Sequence, residues 1–236
     1  MADFQFSLDQ LFRQPVIKIT NDLLPMGTVL GRNQHCKVIA QVSEILNVMG
    51  VLSAHAQDLR SPVTTAGRVR EAPNQYVYLL ANVRRGRRGQ VCGMLKVGLK
   101  QLFLFDVNGA MRNVSQAPSI LDFYVHESCQ RTGQGKRLFE YMLADMGWSA
   151  VQCAIDRPSG KMAGFMNKHY QLERSVPQSN HFVIYQGFFE ANHILVNSKP
   201  AQRQLQLRNV RNGGGDSETD DQQLPYPWGS PRRRKF

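Results

Sequence analysis

Between residues 36 and 58 the apolar positions recur at helical spacing, with Val38, Val42, Ile45, Met49 and Leu52 on one face, which predicts an amphipathic helix. Pro62, in SPVTTAGR, ends it. The period then shortens. QYVYLLANV reads as a strand, RRGRRG as a turn, and QVCGMLKVGLKQLFLFD as two further strands or one long bent one. PSILDFYVHE is a strand that runs into Gln-Arg-Thr-Gly-Gln-Gly-Lys, and a helix with an apolar stripe follows from about Lys136 to Met146. AVQCAID is a strand ending at Asp156, and SGKMAGFMNKHY is a helix that Ser159 can cap. NHFVIYQGFF is a closing strand. Strands that first meander and later cross over through helices predict a mixed α/β sheet.

Composition changes the picture at the carboxyl end. Up to about Phe189, periodic segments alternate with turns, whereas from Asn197 onward three consecutive glycines (Gly213 to Gly215), an acidic run and late prolines take over. Residues 1–190 are therefore expected to form the folded domain, and 191–236 a disordered polar and basic tail. An apolar share of 42% suffices for a core. No apolar run approaches the ~18 residues of a membrane span. The amino terminus carries Asp3 and Asp9 where a signal peptide has a basic start. Both features argue against a membrane and place the protein inside the cell. Cys36, Cys92, Cys129 and Cys153 lie far apart, which predicts free thiols and no metal site.

The formal net charge of +11 calls for an acidic partner or an anionic cofactor. It gathers in RRGRRG, around Gln130 to Arg137, and in the terminal RRRK. Aromatic residues are not interleaved with these patches, which argues against nucleic acid.

Gln130 to Lys136 is where charge and glycine coincide. A Walker loop requires glycine at Gln130 and Ser or Thr at Arg137, and the dinucleotide fingerprint requires glycine at Leu138. Neither is met. Q-R-x-G-x-G between a strand and a helix remains. Gly133 and Gly135 let the backbone approach a ligand closely, the helix N–H groups face an anion, and Arg131, Lys136 and Arg137 add charge. Such a piece can cradle a pyrophosphate.

Q/R-x-x-G-x-G/A after a strand resembles the acetyl-coenzyme A signature of the GNAT acetyltransferases. ILDFYVHESCQRTGQGKRLFEYML, AIDRPSGKMAGFMNKHYQLE, VPQSNHFVIYQGFF and AQDLRSPVTTAGR together resemble the α-tubulin N-acetyltransferases, over most of residues 1–190. The resemblance implies a single GNAT-like domain with a mixed, mostly antiparallel central sheet flanked by helices. It implies direct transfer of acetyl from acetyl-CoA to the ε-amine of a lumen-facing α-tubulin lysine, and an address on the microtubule cytoskeleton of the cytoplasm, cilium or flagellum included. The cofactor segments it implies begin with Phe123, Tyr124, Val125, His126, Glu127, Ser128 and Cys129. They continue through Gln130, Arg131, Thr132, Gly133, Gln134, Gly135 and Lys136. A second segment comprises Ser159, Gly160, Lys161, Met162 and Ala163, then Gly164, Phe165, Met166, Asn167 and Lys168. Tubulin-facing residues carried over are Gln57, Asp122, Asp156 and Arg157, with Asp156 matching the catalytic aspartate.

Chemistry asks for the same residue types. Lysine, with a pKa near 10.4, arrives protonated and needs a carboxylate to orient it and accept its proton. Asp156, at a strand end, is placed for this, although Asp-Arg-Pro also suits an ordinary turn. Asp122 either shares the task or holds Arg157. The family commonly has a cysteine, assigned to catalysis, where this chain has Ser119, whose hydroxyl stays un-ionised near pH 7. An active enzyme with Asp156 as base is expected. Two other classes stay open: a GNAT enzyme acting on another protein lysine or a small amine, and a non-catalytic microtubule-binding module.

Overall fold

The computed structural model describes residues 4–27, 29, 31–82 and 89–192. Most of the RRGRRG turn and, of the tail expected over 191–236, residues 193–236 lie outside them.

Twelve elements follow one another: β1 (Val16–Ile19), α1 (Arg32–Ala56), α2 (Ala66–Arg70), β2 (Gln75–Asn82), β3 (Gln90–Phe105), β4 (Met111–Val125), α3 (Gln134–Met146), β5 (Ala154–Asp156), α4 (Gly160–Tyr170), β6 (Ser175–Val176), β7 (Phe182–Tyr185) and α5 (Phe188–Ala191). The seven strands form one sheet in the order β1-β2-β3-β4-β5-β7-β6. Every neighbouring pair is antiparallel except β4 and β5.

Alternation along β2 shows why the sheet is covered on both faces. Val77, Leu79 and Ala81 pack with Val42, Ile45, Leu46 and Met49 of α1. The intervening Tyr78 and Leu80 pack with Leu138, Phe139 and Met142 of α3 and with Met162 and Met166 of α4. Contrary to the reading from apolar runs, Gln34–Ala56 is long and apolar enough by composition to cross a membrane. Its burial of Ile45, Leu46 and Met49 against the sheet accounts for that hydropathy.

The helices and central strands lie where the patterning puts them, and the short edges do not. QVCGMLKVGLKQLFLF is one 16-residue strand, with irregular register against β4 at Lys96/Val97 and Lys100/Leu102. β4 begins at Met111 instead of Pro118, because the polar stretch before Pro118 pairs with β3 as a hairpin. AVQ is a 3₁₀ turn, which leaves only Ala154–Asp156 as strand. Gly187, at φ 91°, ends the last strand, so Phe188 and Phe189 are helical. β1, β6 and α2 are too short to carry a period, and patterning misses them.

One polar tether fixes α3 against the sheet. Asp145 accepts hydrogen bonds from Lys18 Nζ (2.7 Å) and Tyr78 Oη (2.6 Å). Burial pushes its carboxyl upward, but the bonds from Lys18 and Tyr78 outweigh that and hold it below the ordinary range. Asp145→Asn is expected to cost about 1–2 kcal/mol of stability at pH 7. A depressed folded pKa stabilises above the unfolded value of ~3.9, and this is lost as pH falls through the folded value. Thermal melts of both proteins between pH 7 and 3 check this, with the gap in Tm closing only in acid.

Candidate functional site

The site begins where two parallel strands part. β4 and β5 pair only at Ser119↔Ala154 and Ile120↔Ile155. β5 then ends at Asp156, whose partner is Phe182 of β7, while β4 runs on to Val125. Arg157 takes a left-handed backbone (φ 43°) and Pro158 follows, which turns the chain away from β4. α4 starts there, with Met162 N–H bonded to the Ser159 hydroxyl at 3.2 Å.

At the far end of β4, the glycine turn starts α3. Gln130 Nε2 donates to the Val125 carbonyl (2.8 Å), closing the turn on the strand it leaves. Arg131 (φ 60°) and Gly133 (φ 83°) are both left-handed. The first-turn N–H groups of α3 have no carbonyl one turn back within the helix, so they face outward. A Cβ on Gly135 would stand 3.4 Å from Val125 Cγ2 and 3.6 Å from Phe123 Cζ, in ordinary van der Waals contact, so a side chain longer than a methyl there would extend beyond that contact.

A cavity of about 550 Å³ lies between these pieces. Phe123, Tyr124 and Val125 supply its β4 wall, and Gln130, Arg131, Gly133, Gly135 and Lys136 its α3 end. α4 lays Ser159, Lys161, Met162, Phe165 and Lys168 along it, at the spacing of one helix face. Gln57 closes the α1 side, joined by Ala56 and His169, which patterning alone does not single out. Arg131, Lys136, Lys161 and Lys168 all line it, and among the described residues no carboxylate does. Two helix starts, four cations and an apolar floor of Phe123 and Phe165 (ring centroids 5.3 Å apart) suit a ligand with phosphates at one end and an apolar arm at the other.

The remaining residues of the two implied cofactor segments point elsewhere. His126, Glu127, Ser128 and Cys129 form the bend before the glycines, where Tyr124 Oη donates to Glu127 (3.1 Å) and Ser128 N–H to His126 Nδ1 (3.2 Å). Thr132 Oγ1 donates to the Cys129 carbonyl at 2.6 Å. Gln134 lines a separate hollow with Arg13 and Arg137. Ala163, Gly164 and Asn167 line another on the opposite side of α4, Gly160 opens that helix, and Met166 is in the core.

Of the residues matched to the tubulin-facing and catalytic positions, only Gln57 lines the cavity. Ile120 and Ile155 face α3 and α4, so Ser119 and Asp156 project to the other side of the sheet. Ser119 is fully buried, and its hydroxyl donates to the Ala117 carbonyl on its own strand (2.9 Å). Asp156 is half-buried. Burial pushes its carboxyl up, opposed by Arg157, His181 and Lys100. Asp122 does not hold Arg157. It is buried beneath α1, where it accepts from Ser53 Oγ (2.7 Å), Gln57 Nε2 (3.0 Å) and Thr64 Oγ1 (2.6 Å). Lys96 sits directly across the strand pair from Asp122. Burial lowers its pKa, with Asp122 opposing the fall. Ser53 and Lys96 carry no motif, and Thr64 lies within AQDLRSPVTTAGR with no role attached to it. The one signal open to sequence was Ser53 standing one helical turn before Gln57.

A mostly antiparallel sheet, parted at its single parallel pair and followed by a glycine turn into a helix, is the fold of a GNAT acetyltransferase. Residues 4–212 match the family model described as GNAT acetyltransferase, Mec-17, and the chain belongs to that family. Alpha-tubulin N-acetyltransferase 1 of Drosophila melanogaster is 52% identical over 190 residues, which is 80% of this chain and 41% of that protein. Alpha-tubulin N-acetyltransferase 2 of the same organism is 48% identical over 197 residues, covering 80% and 68%. Alpha-tubulin N-acetyltransferase 1 of Danio rerio is 38% identical over 192 residues, covering 80% and 62%. The chain thus spans less than half of the first of these relatives and about two thirds of the other two.

Proposed function

We propose that this protein transfers the acetyl group of acetyl-CoA to the ε-amine of a lumen-facing lysine of α-tubulin in microtubules, with both substrates bound at once. The cavity carries the reading, with four cations, two helix starts and, among the described residues, no carboxylate on its lining. The names of the relatives supply the acceptor. The microtubule cytoskeleton, axonemes included, is the corresponding address.

Bound acetyl-CoA supplies an activated acyl thioester. The N–H groups of the α3 turn, with Arg131, Lys136, Lys161 and Lys168, neutralise its phosphates, and Phe123 and Phe165 exclude water from its arm. Past Ile120, β4 pairs with no strand on the β5 side among the described residues, and a backbone N–H on that edge polarises the carbonyl oxygen. Asp156 accepts the proton of the incoming ammonium, and the amine then attacks the thioester carbonyl carbon, since holding both reactants contributes strongly to the rate. As the C–N bond forms the C–S bond breaks, and coenzyme A leaves as the thiol with the proton that the attacking nitrogen sheds. Arg157 flanks the approach. Ser119 takes no proton, because its hydroxyl is sealed and committed to Ala117.

The experiment is incubation with acetyl-CoA and polymerised tubulin, reading acetyl-lysine on α-tubulin and on control proteins. Label on α-tubulin supports the proposal. Label only on other proteins reassigns the substrate, and microtubule binding without label makes this a non-catalytic module. The same assay tests Ser119→Cys. Its kcat is expected to stay within about threefold of the parent, because a buried thiol is held in its neutral form.

A further inference from the structure

Asp122 has a carboxylate's charge and none of a substrate-facing acid's access. It is 4% exposed and already carries three hydrogen bonds. Two hydroxyls and one amide surround it. Ser53 Oγ and Gln57 Nε2 both donate to Oδ1, while Thr64 Oγ1 donates to Oδ2. Gln57 Nε2 also donates to Ser53 Oγ at 2.8 Å. We infer that Asp122, Ser53 and Thr64 are positioning residues that set the rotation of the Gln57 side-chain amide, so that its carbonyl oxygen faces the cavity.

The donor and acceptor inventory fixes the direction. An ionised carboxylate only accepts, and a hydroxyl has one proton. Ser53 gives that proton to Asp122, so toward Gln57 it can only accept. Both atoms that Gln57 meets inside the protein are therefore acceptors, and they stand so close together that one N–H of its NH₂ group serves both as a bifurcated bond. A flipped amide would press Oε1 against the carboxylate and leave two bonds unmade. Oε1 is consequently the end turned outward, on the wall of the cavity that Gln57 lines.

An outward acceptor is what an amine needs. Both an ammonium and a neutral amine donate N–H, so Oε1 can hold one N–H while the lone pair turns toward an acyl carbon. This use of Oε1 rests on the proposed function, whereas the orientation of the amide does not. Two further features hold the lock together. A Cβ on Gly50 would collide with the Thr64 carbonyl, so glycine lets the 61–65 segment lie on α1 and bring Thr64 to Asp122. Lys96, paired across from Asp122 and donating to the Val63 carbonyl at 3.3 Å, is the buried cation that faces the carboxylate.

The test uses the full chain with Ser53→Ala, Thr64→Val and Thr64→Ser, the last keeping the hydroxyl if the valine variant fails to fold. Gln57→Glu assigns the Gln57 side-chain NH₂ signals in a ¹H–¹⁵N spectrum. The proton aimed at Ser53 and Asp122 is expected to exchange with solvent on the order of tenfold more slowly than that of a free glutamine amide, with the protection lost in Ser53→Ala, weakened in Thr64→Val and kept in Thr64→Ser. In the tubulin assay, Ser53→Ala is expected to lower kcat by about tenfold while the KM for acetyl-CoA stays within about twofold. A Gln57 amide whose two protons both exchange freely in the parent, or whose protected proton does not respond to Ser53→Ala, overturns the lock. A parent that acetylates nothing defeats the proposed function, while the amide signals still decide this inference.

Discussion

Asp156→Asn is expected to lower kcat on polymerised tubulin by about 10²- to 10⁴-fold, the range for losing a positioned general base. Asn keeps the shape and the β5 terminus but cannot take a proton. Burial also makes Asp156 a better base than a free carboxylate, because desolvation raises its pKa while Arg157, His181 and Lys100 keep the rise in check. The base must be ionised to act, so the rate should fall as pH drops through that raised value, and the acid limb should lie above the ordinary ~3.9. Initial rates from pH 5 to 8 give both results. Calorimetric titration with coenzyme A should show unchanged affinity, since Asp156 does not line the cofactor cavity. Rates within about twofold of the parent would remove Asp156 from the mechanism.

Gly135→Leu should abolish cofactor affinity without unfolding the protein, with Kd for coenzyme A rising by more than about 100-fold. The reason is steric. Its Cβ would already touch Val125 and Phe123, and the isobutyl group beyond would occupy the turn-side end of the cavity. Leucine is a good helix former, and position 135 is in the first turn of α3, so the helix should persist. Gly164→Leu is the control. That glycine also lies within one of the segments matched to the cofactor, but it faces the opposite side of α4, where a Cβ meets nothing within 4 Å. Calorimetry on both variants, with circular dichroism for folding, should separate them. Equal losses would mean that the ligand wraps α4 instead of lying along one face.

Both predictions turn on which side of an element a residue occupies, and that marks where sequence stops being sufficient. Periodicity found α1, α3 and α4, since each carries an apolar stripe long enough to define a phase, and it found the central strands. It missed β1 and β6, which at four and two residues hold less than a phase, and it over-extended β7 through Gly187. The Q-R-x-G-x-G turn was legible because backbone approach and anion contact demand glycine and cations at close sequence spacing. Of fourteen consecutive residues from Phe123 to Lys136, however, only the three leading the strand out and five of the turn reach the cavity. His126 to Cys129 and Thr132 brace the bend, and Gln134 lines a separate hollow.

Local order along the chain thus determined the strand–glycine turn–helix unit, the Asp-Arg-Pro exit from β5 and the helices with their faces. Only the tertiary structure decided what Asp122 does. Its partners Ser53, Gln57 and Thr64 lie 69, 65 and 58 residues away along the chain, and no pattern in a strand records which hydroxyls will close over it. A buried carboxylate is tolerated only when donors surround it. Those donors were supplied by a helix and a loop packed across the sheet.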